Sequence, residues 1–299
     1  MNKKFEKLLK GVPQSTPPIW FMRQAGRYHS HYQNLRKTHS FEELCKTPEL
    51  AAKVACGPME DFDYDIAILF SDILFPLELL GLKLSYNPGP TFENYLSEKD
   101  STLSINESIV EEKLDFQSEA LRLTRMALAD NKSLVGFVGG PWTILSYGMN
   151  IKNEKSFSLS NSNIFIEKLL YDVLFPVIRK NIQMQFDAGA EIVYVFDTNS
   201  VQLNNIYYLD IYMERMKSEL FLEFNNSYEY SGSVTNFSLT INQSKTYSDG
   251  TTTADEWIRL INSTEVDEKS NYRREAEGYL DFQAAPGGSN PLAFLTNLL

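Results

Sequence analysis

The chain has few of the residues that build metal sites and disulfide frameworks. Among its 299 residues are two cysteines, Cys45 and Cys56, and three histidines. Both cysteines fall in one helix-like segment, and no histidine follows residue 39. Neither a disulfide framework nor a cysteine-rich metal site is therefore available. We expect two reduced, structural thiols and no bound metal.

Long apolar runs and nucleotide-binding motifs are also missing. No stretch approaches the roughly 18 apolar residues of a membrane span. The first residues, MNKKFEKLLK, are basic but lack the apolar core of a secretion signal. No GxGxxG, GxxxxGK[ST] or HExxH motif occurs, so dinucleotide, nucleoside triphosphate and zinc-protease functions have no support. These absences predict a cytoplasmic protein that does not act at a membrane.

Positive charge is scarce overall but concentrated near the beginning of the chain. The net charge of −11 argues against a surface that binds nucleic acid. Residues 1–41 nevertheless carry eight Lys or Arg against Glu6 alone, a balance of +7, so the other 258 residues carry −18. This asymmetry favours a small polyanionic ligand that is attracted to one part of the surface. A merely solvated basic segment is the alternative.

Apolar segments and helical patterns alternate over the first 200 residues. Four segments are predicted to be buried strands: PPIWFM (17–22), YDIAILFSDIL (64–74), the segment that begins SLVGFVG (133–139), and AEIVYVFDTNS (190–200). Helical patterns cover 40–62, 106–131 and 161–188. This order predicts an α/β protein with a parallel sheet, either an open doubly wound sheet or a closed (β/α)₈ barrel.

Local signals refine this prediction at three places. Ser40 and Glu43 have the spacing of a capping box at the beginning of a helix. The turn-rich stretch GLKLSYNPGPTF is typical of an irregular excursion or a hairpin. Pro141, after Gly139 and Gly140, fits the first turn of a helix.

Polar or glycine-rich residues follow each predicted strand. Arg23 follows the first strand, Asp72 lies at the end of the second, Gly139-Gly140 ends the third, and Thr198 follows the fourth. In open α/β sheets and in barrels, ligands bind at the carboxyl ends of the strands. We therefore expect these residues to lie together in one ligand-binding site at the carboxyl ends of the strands.

The composition changes after residue 200. Sixteen of the twenty-nine residues in 225–253 are Ser, Thr or Asn, a density that disfavours helix and favours exposed strands or a hairpin. We therefore divide the chain into a β/α portion at 1–200 and a divergent portion at 201–299. A barrel would be irregular or incomplete beyond this boundary.

The motifs PPIWFMRQAGRY, FSDIL, GGPWTILSY and FDT occur in this order. Together they resemble the uroporphyrinogen decarboxylase family over roughly residues 5–200. The resemblance implies a cofactor-free (β/α)₈ TIM-type barrel, commonly a homodimer. It also implies a carboxy-lyase of haem biosynthesis that removes the four acetate carboxylates of uroporphyrinogen III to give coproporphyrinogen III.

The arginine motif matches the family residue by residue, which implies that Arg23, Gln24 and Arg27 bind substrate. Uroporphyrinogen carries eight carboxylates, and planar guanidinium groups pair with carboxylates through two hydrogen bonds at once. Gly26 would let the backbone turn tightly between the two arginines.

Three further residues carry roles implied by the resemblance. Asp72 matches a family aspartate beneath the macrocycle, which accepts pyrrole N–H groups and stabilises the cation that forms when a pyrrole is protonated. Tyr147 matches a tyrosine that positions the reacting acetate, and Thr198 stands where relatives have a serine or threonine that contacts a carboxylate. The catalytic residues implied are thus Asp72 and Tyr147, and both also bind substrate.

The last third shows none of the family's later motifs. An altered reading frame near residue 200, a decayed relative and a divergent C-terminal half all remain open. A non-catalytic porphyrinogen-binding protein is therefore the main alternative function.

A corrinoid-type methyltransferase is disfavoured because such relatives bind zinc through late cysteines and histidines, and no cysteine follows Cys56. A phosphate-binding barrel would need a late glycine-rich loop, and Gly287-Gly288 has no preceding strand.

Overall fold

Helices and strands alternate along the residues that the computed structural model describes, namely 1–86, 89–154, 156–157, 164–203, 212, 215, 216 and 220. The strands are Ile66–Ile68 (β1), Leu84–Tyr86 (β2), Pro90–Phe92 (β3), Ser133–Gly139 (β4) and Ile192–Phe196 (β5). The α-helices are Lys3–Leu9 (α1), Ser30–Arg36 (α2), Phe41–Lys46 (α3), Pro48–Phe62 (α4), Pro76–Leu79 (α5), Glu107–Ala127 (α6), Pro141–Gly148 (α7), Ile164–Lys168 (α8) and Phe175–Asp187 (α9). Between α8 and α9 runs a π-helical segment, Leu169–Leu174, and 3₁₀ turns occupy Glu98–Thr102 and Thr198–Gln202.

Three of the strands form one sheet in the spatial order β1-β4-β5. β1 and β4 run parallel, with Ile66 opposite Ser133 and Ile68 opposite Val135. Every residue of β1 and all but one residue of β4 are buried. Continuous burial is typical of parallel strands whose two faces are both covered by helices. The predicted α/β architecture is confirmed for these elements.

The strand predicted at 17–22 was wrong. These residues form no regular strand but run beside the beginning of β1, where the Asp65 N–H donates to the Ile19 carbonyl at 2.9 Å. The Asp65 carboxylate accepts the Ile19 N–H, also at 2.9 Å, and pairs with Lys4. Pro17 and Pro18 have no N–H to donate, so a full hydrogen-bonded ladder cannot form at this position.

The predicted helix over 40–62 is divided into two. The capping box at its beginning is confirmed, because the Ser40 hydroxyl accepts the Glu43 N–H at 3.0 Å while the Glu43 carboxylate accepts the Ser40 N–H. α3 then ends at Lys46, and Pro48 begins α4 at a position where its missing N–H costs nothing. The two helices therefore change direction at Thr47.

Other elements follow the predictions more closely. The hairpin is confirmed as β2 and β3, which pair antiparallel, and Pro141 begins α7. The helix predicted at 106–131 is α6, which packs between α4 and α9. The helix predicted at 161–188 corresponds to α8, the π-helical segment and α9, and its first three residues lie outside the described part of the chain.

The chain divides into two compact units. The first comprises Met1–Ile151 and Asn163–Val195, and the second comprises Lys152–Ser162 and Phe196–Leu299. Fully buried large side chains in the first unit include Leu44, Phe75, Leu121, Leu134 and Trp142. Cys45 and Cys56 are both buried and unpaired, which confirms the structural thiols.

Within the second unit, the Tyr212 hydroxyl donates a hydrogen bond to the buried Asp197 carboxylate. The exposed strands predicted for 225–253 lie outside the described residues. No helix of the described residues is long and apolar enough to cross a bilayer.

Candidate active site

The loop that follows β1 carries Asp72. Its Oδ1 accepts the N–H of Leu74 at 2.8 Å, a local turn that restrains the carboxylate. The neighbouring Ser71 hydroxyl accepts the Gln117 amide N–H at 2.9 Å, which ties the same loop to α6. Asp72 itself is partly buried, so its carboxylate lies below the surface on a loop that two hydrogen bonds hold in place.

Asp72 lies close enough to Tyr147 for its negative charge to raise the pKa of that tyrosine. Burial raises the pKa of Asp72, while the Leu74 N–H and the nearby Tyr86 hydroxyl favour the ionised form and partly oppose that rise. Burial also raises the pKa of Tyr147, and the negative charge of Asp72 raises it further. Two of the predicted site residues, on the β1 loop and on α7, are thus brought together.

A close contact at the end of β4 sets the distance between α7 and the Asp72 loop. A Cβ atom at Gly139 would lie 2.8 Å from Cγ1 of Ile144 and 3.0 Å from Cβ of Ile73. Both separations are shorter than ordinary van der Waals contact. Glycine is required here because α7 and the residue next to Asp72 both pack directly against the backbone.

We expect Gly139→Ala to destabilise the protein by about 1–3 kcal/mol, because Ile144 or Ile73 must move to admit the methyl group. The free energy of unfolding in denaturant is the measurement. Gly89→Ala is the matched control, since a Cβ there meets no atom within 4 Å. Equal unfolding midpoints for both variants would contradict this account of the contact.

The arginine motif forms an irregular loop anchored against the sheet. Trp20 stacks on Tyr194 of β5 with ring centroids 5.3 Å apart. A Cβ at Gly26 would lie 3.2 Å from the Arg23 carbonyl oxygen, so the chain turns tightly there. The Tyr28 hydroxyl donates to the Gln24 carbonyl at 2.6 Å. These contacts restrain the backbone that carries the two arginines.

Both guanidinium groups are exposed. Within the described part of the chain, Arg23 and Arg27 make no side-chain hydrogen bond or ion pair. By contrast, Lys4 and Lys10 of the same basic region pair with Asp65 and Glu6. Exposed and unpaired guanidiniums on a restrained backbone are suited to bind carboxylates of an incoming ligand.

Gln24 points into the protein. Its side chain is 1% exposed, its amide N–H donates to the Ile66 carbonyl of β1 at 3.1 Å, and its amide oxygen accepts the Phe21 N–H at 3.2 Å. The sequence analysis missed this internal role, because an amide between two arginines resembles another ligand contact. Ligand binding by Gln24 stays a prediction, while its hydrogen bonds hold the arginine loop on β1.

Thr198 and His29 differ in their exposure to solvent. Thr198 begins the 3₁₀ turn in the second unit and is exposed, and its contact with a carboxylate stays a prediction. His29, two residues after Arg27, is buried, with Nε2 2.7 Å from Oδ2 of Asp61 on α4. Among the described residues, no group of three or more His, Cys, Asp or Glu is arranged to hold a metal ion.

The fold and these residues define a class: an α/β protein with a partly buried carboxylate after β1 and, on the arginine loop, two guanidinium groups that have no partner among the described residues. Residues 1–221 match the family described as uroporphyrinogen decarboxylase (URO-D). The chain therefore belongs to the uroporphyrinogen decarboxylase family, and the resemblance found in its motifs is confirmed.

Individual relatives agree with this assignment. The chain is 39% identical over 203 residues to uroporphyrinogen decarboxylase of Salinibacter ruber, an alignment that covers 66% of this chain and 57% of the relative. Identity to the enzymes of Trichlorobacter lovleyi and Pelobacter propionicus is 37% and 38%, again over 66% of this chain and over 59% of each relative. The chain thus spans less than two thirds of the length of the curated relatives it matches.

A solved structure, a methyltransferase from Methanosarcina mazei, is similar in fold. It has a TM-score of 0.63 with 14% sequence identity, and the match covers 99% of this chain and 96% of the methyltransferase. At this identity the likeness concerns the fold alone.

Proposed function

We propose that this chain is a carboxy-lyase that converts uroporphyrinogen III to coproporphyrinogen III by removing its four acetate carboxylates. The observation that carries the proposal is the partly buried carboxylate of Asp72, held by the Leu74 N–H and near enough to the partly buried Tyr147 to raise its pKa. Membership of the family supplies the substrate, and the two unpaired guanidiniums of the arginine loop supply groups that suit a polycarboxylate.

The chemistry needs an electron sink and a counter-charge. An acetate on a pyrrole loses CO₂ when the bond between its methylene and its carboxylate breaks. The electron pair of that bond moves into the pyrrole, which must first be protonated. A proton then adds to the methylene carbon, leaving a methyl group, and the ring gives back the proton that it first received, so each decarboxylation consumes one proton overall. No other reactant is required.

Asp72 would stabilise the protonated pyrrole where its positive charge develops. Its restrained, partly buried carboxylate suits this role, because a charge fixed in advance does not have to reorganise during the reaction. Tyr147 would hold the reacting acetate, while Arg23 and Arg27 would hold other carboxylates. Gln24 completes the proposed binding set of the arginine loop.

Three further features belong to the same proposal. The described β/α elements would form part of a TIM-type (β/α)₈ barrel, with the compositional boundary near residue 200. The substrate would be a small molecule bound without a cofactor and without nucleic acid. The protein would assemble as a homodimer, which light scattering coupled to size-exclusion chromatography would test directly.

The deciding experiment is anaerobic incubation of the full chain with uroporphyrinogen III, followed by chromatographic separation of products by carboxylate number. We expect stepwise loss from eight carboxylates to four. Binding is measured separately, by fluorescence quenching with the same ligand. Binding without loss of carboxylates would refute the decarboxylase and favour the non-catalytic porphyrinogen-binding alternative, which remains relevant because the chain matches only part of its relatives' length.

A further inference from the structure

Tyr86 is a partly buried tyrosine whose hydroxyl oxygen is buried and has no hydrogen-bond partner among the described residues. It ends β2, where it pairs with Pro90 across the hairpin. Its ring packs edge-on against Phe41 and Phe75, with centroids 4.8 Å and 6.2 Å away. Its hydroxyl oxygen is inaccessible to solvent and forms no hydrogen bond of ordinary geometry with any described residue. The ring is therefore fixed while its polar end lacks a partner.

A buried hydroxyl without a hydrogen bond is rare, because it has lost water and gained nothing in exchange. The titratable groups that face the Tyr86 hydroxyl are Asp72 on the β1 loop, Cys45 on α3 and Glu78 on α5. Burial raises the pKa of Tyr86 and the negative charge of Asp72 raises it further, so this hydroxyl remains a donor at any ordinary pH. Asp72 is the acceptor that influences it most.

The Asp72 carboxylate has two oxygens that can accept hydrogen bonds. The Leu74 N–H occupies Oδ1 at 2.8 Å. Burial raises the pKa of Tyr147 on α7 and of the Cys45 thiol on α3, and the negative charge of Asp72 raises both further. Both groups are therefore protonated. The Tyr86 hydroxyl lies beside the carboxylate and favours its ionised form.

We propose that Tyr86 is a positioning residue for Asp72, whose hydroxyl donates a hydrogen bond to the carboxylate and keeps it ionised and correctly oriented beneath the ligand. This inference rests on the proposed function for its meaning in catalysis, but the proposed hydrogen bond does not require a ligand. Tyr86 acts through Asp72 and does not touch the reacting atoms. Because Tyr86 lies on β2, the β2–β3 hairpin would help to hold the Asp72 carboxylate in its orientation.

The direct test is the titration of Asp72 in the full chain, labelled with ¹³C at the aspartate carboxyl carbons and observed by NMR. The Asp72 signal is assigned as the one missing from Asp72→Asn. In Tyr86→Phe the ring contacts remain but the donor is gone, so the ionised form is less stable. We expect the titration midpoint of Asp72 to move up by about one pH unit.

The matched control is Tyr95→Phe, which removes the hydroxyl of an exposed tyrosine just beyond the same hairpin. We expect it to leave the Asp72 titration unchanged. An identical Asp72 midpoint in wild type and Tyr86→Phe would overturn the proposal. Because this readout needs no substrate, it separates failure of the Tyr86 inference from failure of the proposed function.

A second substitution guards against an effect of folding. Replacement of Tyr86 by 3-fluorotyrosine makes the hydroxyl a stronger donor with almost no change in volume, so the Asp72 midpoint should move down. A midpoint that stays in place or moves up would contradict the hydrogen bond. If the wild-type chain turns over uroporphyrinogen, the acid limb of its kcat/KM profile should move up in Tyr86→Phe by the same amount as the NMR midpoint.

Discussion

Asp72→Asn is expected to abolish turnover of uroporphyrinogen while leaving its binding within a few fold of wild type. Asparagine has nearly the same shape, and its side-chain oxygen can still accept the Leu74 N–H that Asp72 accepts at 2.8 Å. What disappears is the negative charge opposite the developing pyrrole cation. Removal of one pre-placed electrostatic group lowers rates by roughly 10²–10³-fold in other enzymes, and we expect a loss of at least this size. Single-turnover assays and ligand titration measure the two effects separately.

The same variant should be more stable than wild type at neutral pH. Burial raises the pKa of Asp72 in the folded protein, so folding favours the protonated carboxyl. This contribution to stability is complete at low pH and is lost as the pH rises through the folded-state pKa. Asparagine avoids the buried charge, so its advantage in unfolding free energy should grow with rising pH and shrink in acid.

This stability measurement is also the control for the kinetic result. Lower stability of Asp72→Asn at neutral pH, together with lost activity, would mean that the substitution damages the fold rather than the chemistry. Retained turnover in a folded variant would contradict the role of the carboxylate outright.

Arg27→Ala is expected to weaken ligand binding by about 10–100-fold, the effect of losing a charge-assisted contact to a carboxylate. Arg27 is exposed and unpaired among the described residues, so its removal leaves no internal partner stranded and should cost little stability. Binding constants for uroporphyrinogen, measured at two salt concentrations, test the effect.

Lys37→Ala is the matched control for Arg27→Ala. Lys37 lies in the same basic region and is exposed, and among the described residues its ammonium group hydrogen-bonds to the Asn34 side chain alone. Both substitutions remove one positive charge, so a long-range attraction would fall equally in the two variants. If both substitutions weakened binding equally and only slightly, Arg27 would not belong to the ligand site, and the basic region would be a merely solvated segment.

Much of the fold could be predicted because buried parallel strands are continuous apolar runs between helical patterns. β4 and β5 lie where these runs predicted them. The error at 17–22 has a physical cause, since an apolar run shows burial but not hydrogen bonding, and two prolines remove the donors that a strand needs. Side-chain hydrogen bonds from Gln24 and to Asp65 hold that segment in place. The spacing of apolar residues in a sequence does not reveal such bonds.

The candidate site could be predicted only in part. Residues that follow parallel strands meet at one edge of the sheet, and this rule placed Asp72 near the beginning of α7, which carries Tyr147. The rule says nothing of residues that reach the site from outside the sheet. Tyr86 belongs to the antiparallel hairpin, and its proximity to Asp72 depends on how the hairpin packs against Phe41 and Phe75.

We also expect the arginine loop to limit self-association. β1 is the outer strand of the described three-stranded sheet and is entirely apolar. On its open side, the Gln24 amide occupies the Ile66 carbonyl and the Ile19 carbonyl occupies the Asp65 N–H. Unpaired strand edges recruit strands from other molecules, and a proline-containing cover that cannot extend a ladder prevents this. A substitution that loosens this loop should therefore promote aggregation as well as weaken ligand binding, and solubility should be examined beside affinity in any variant of the motif.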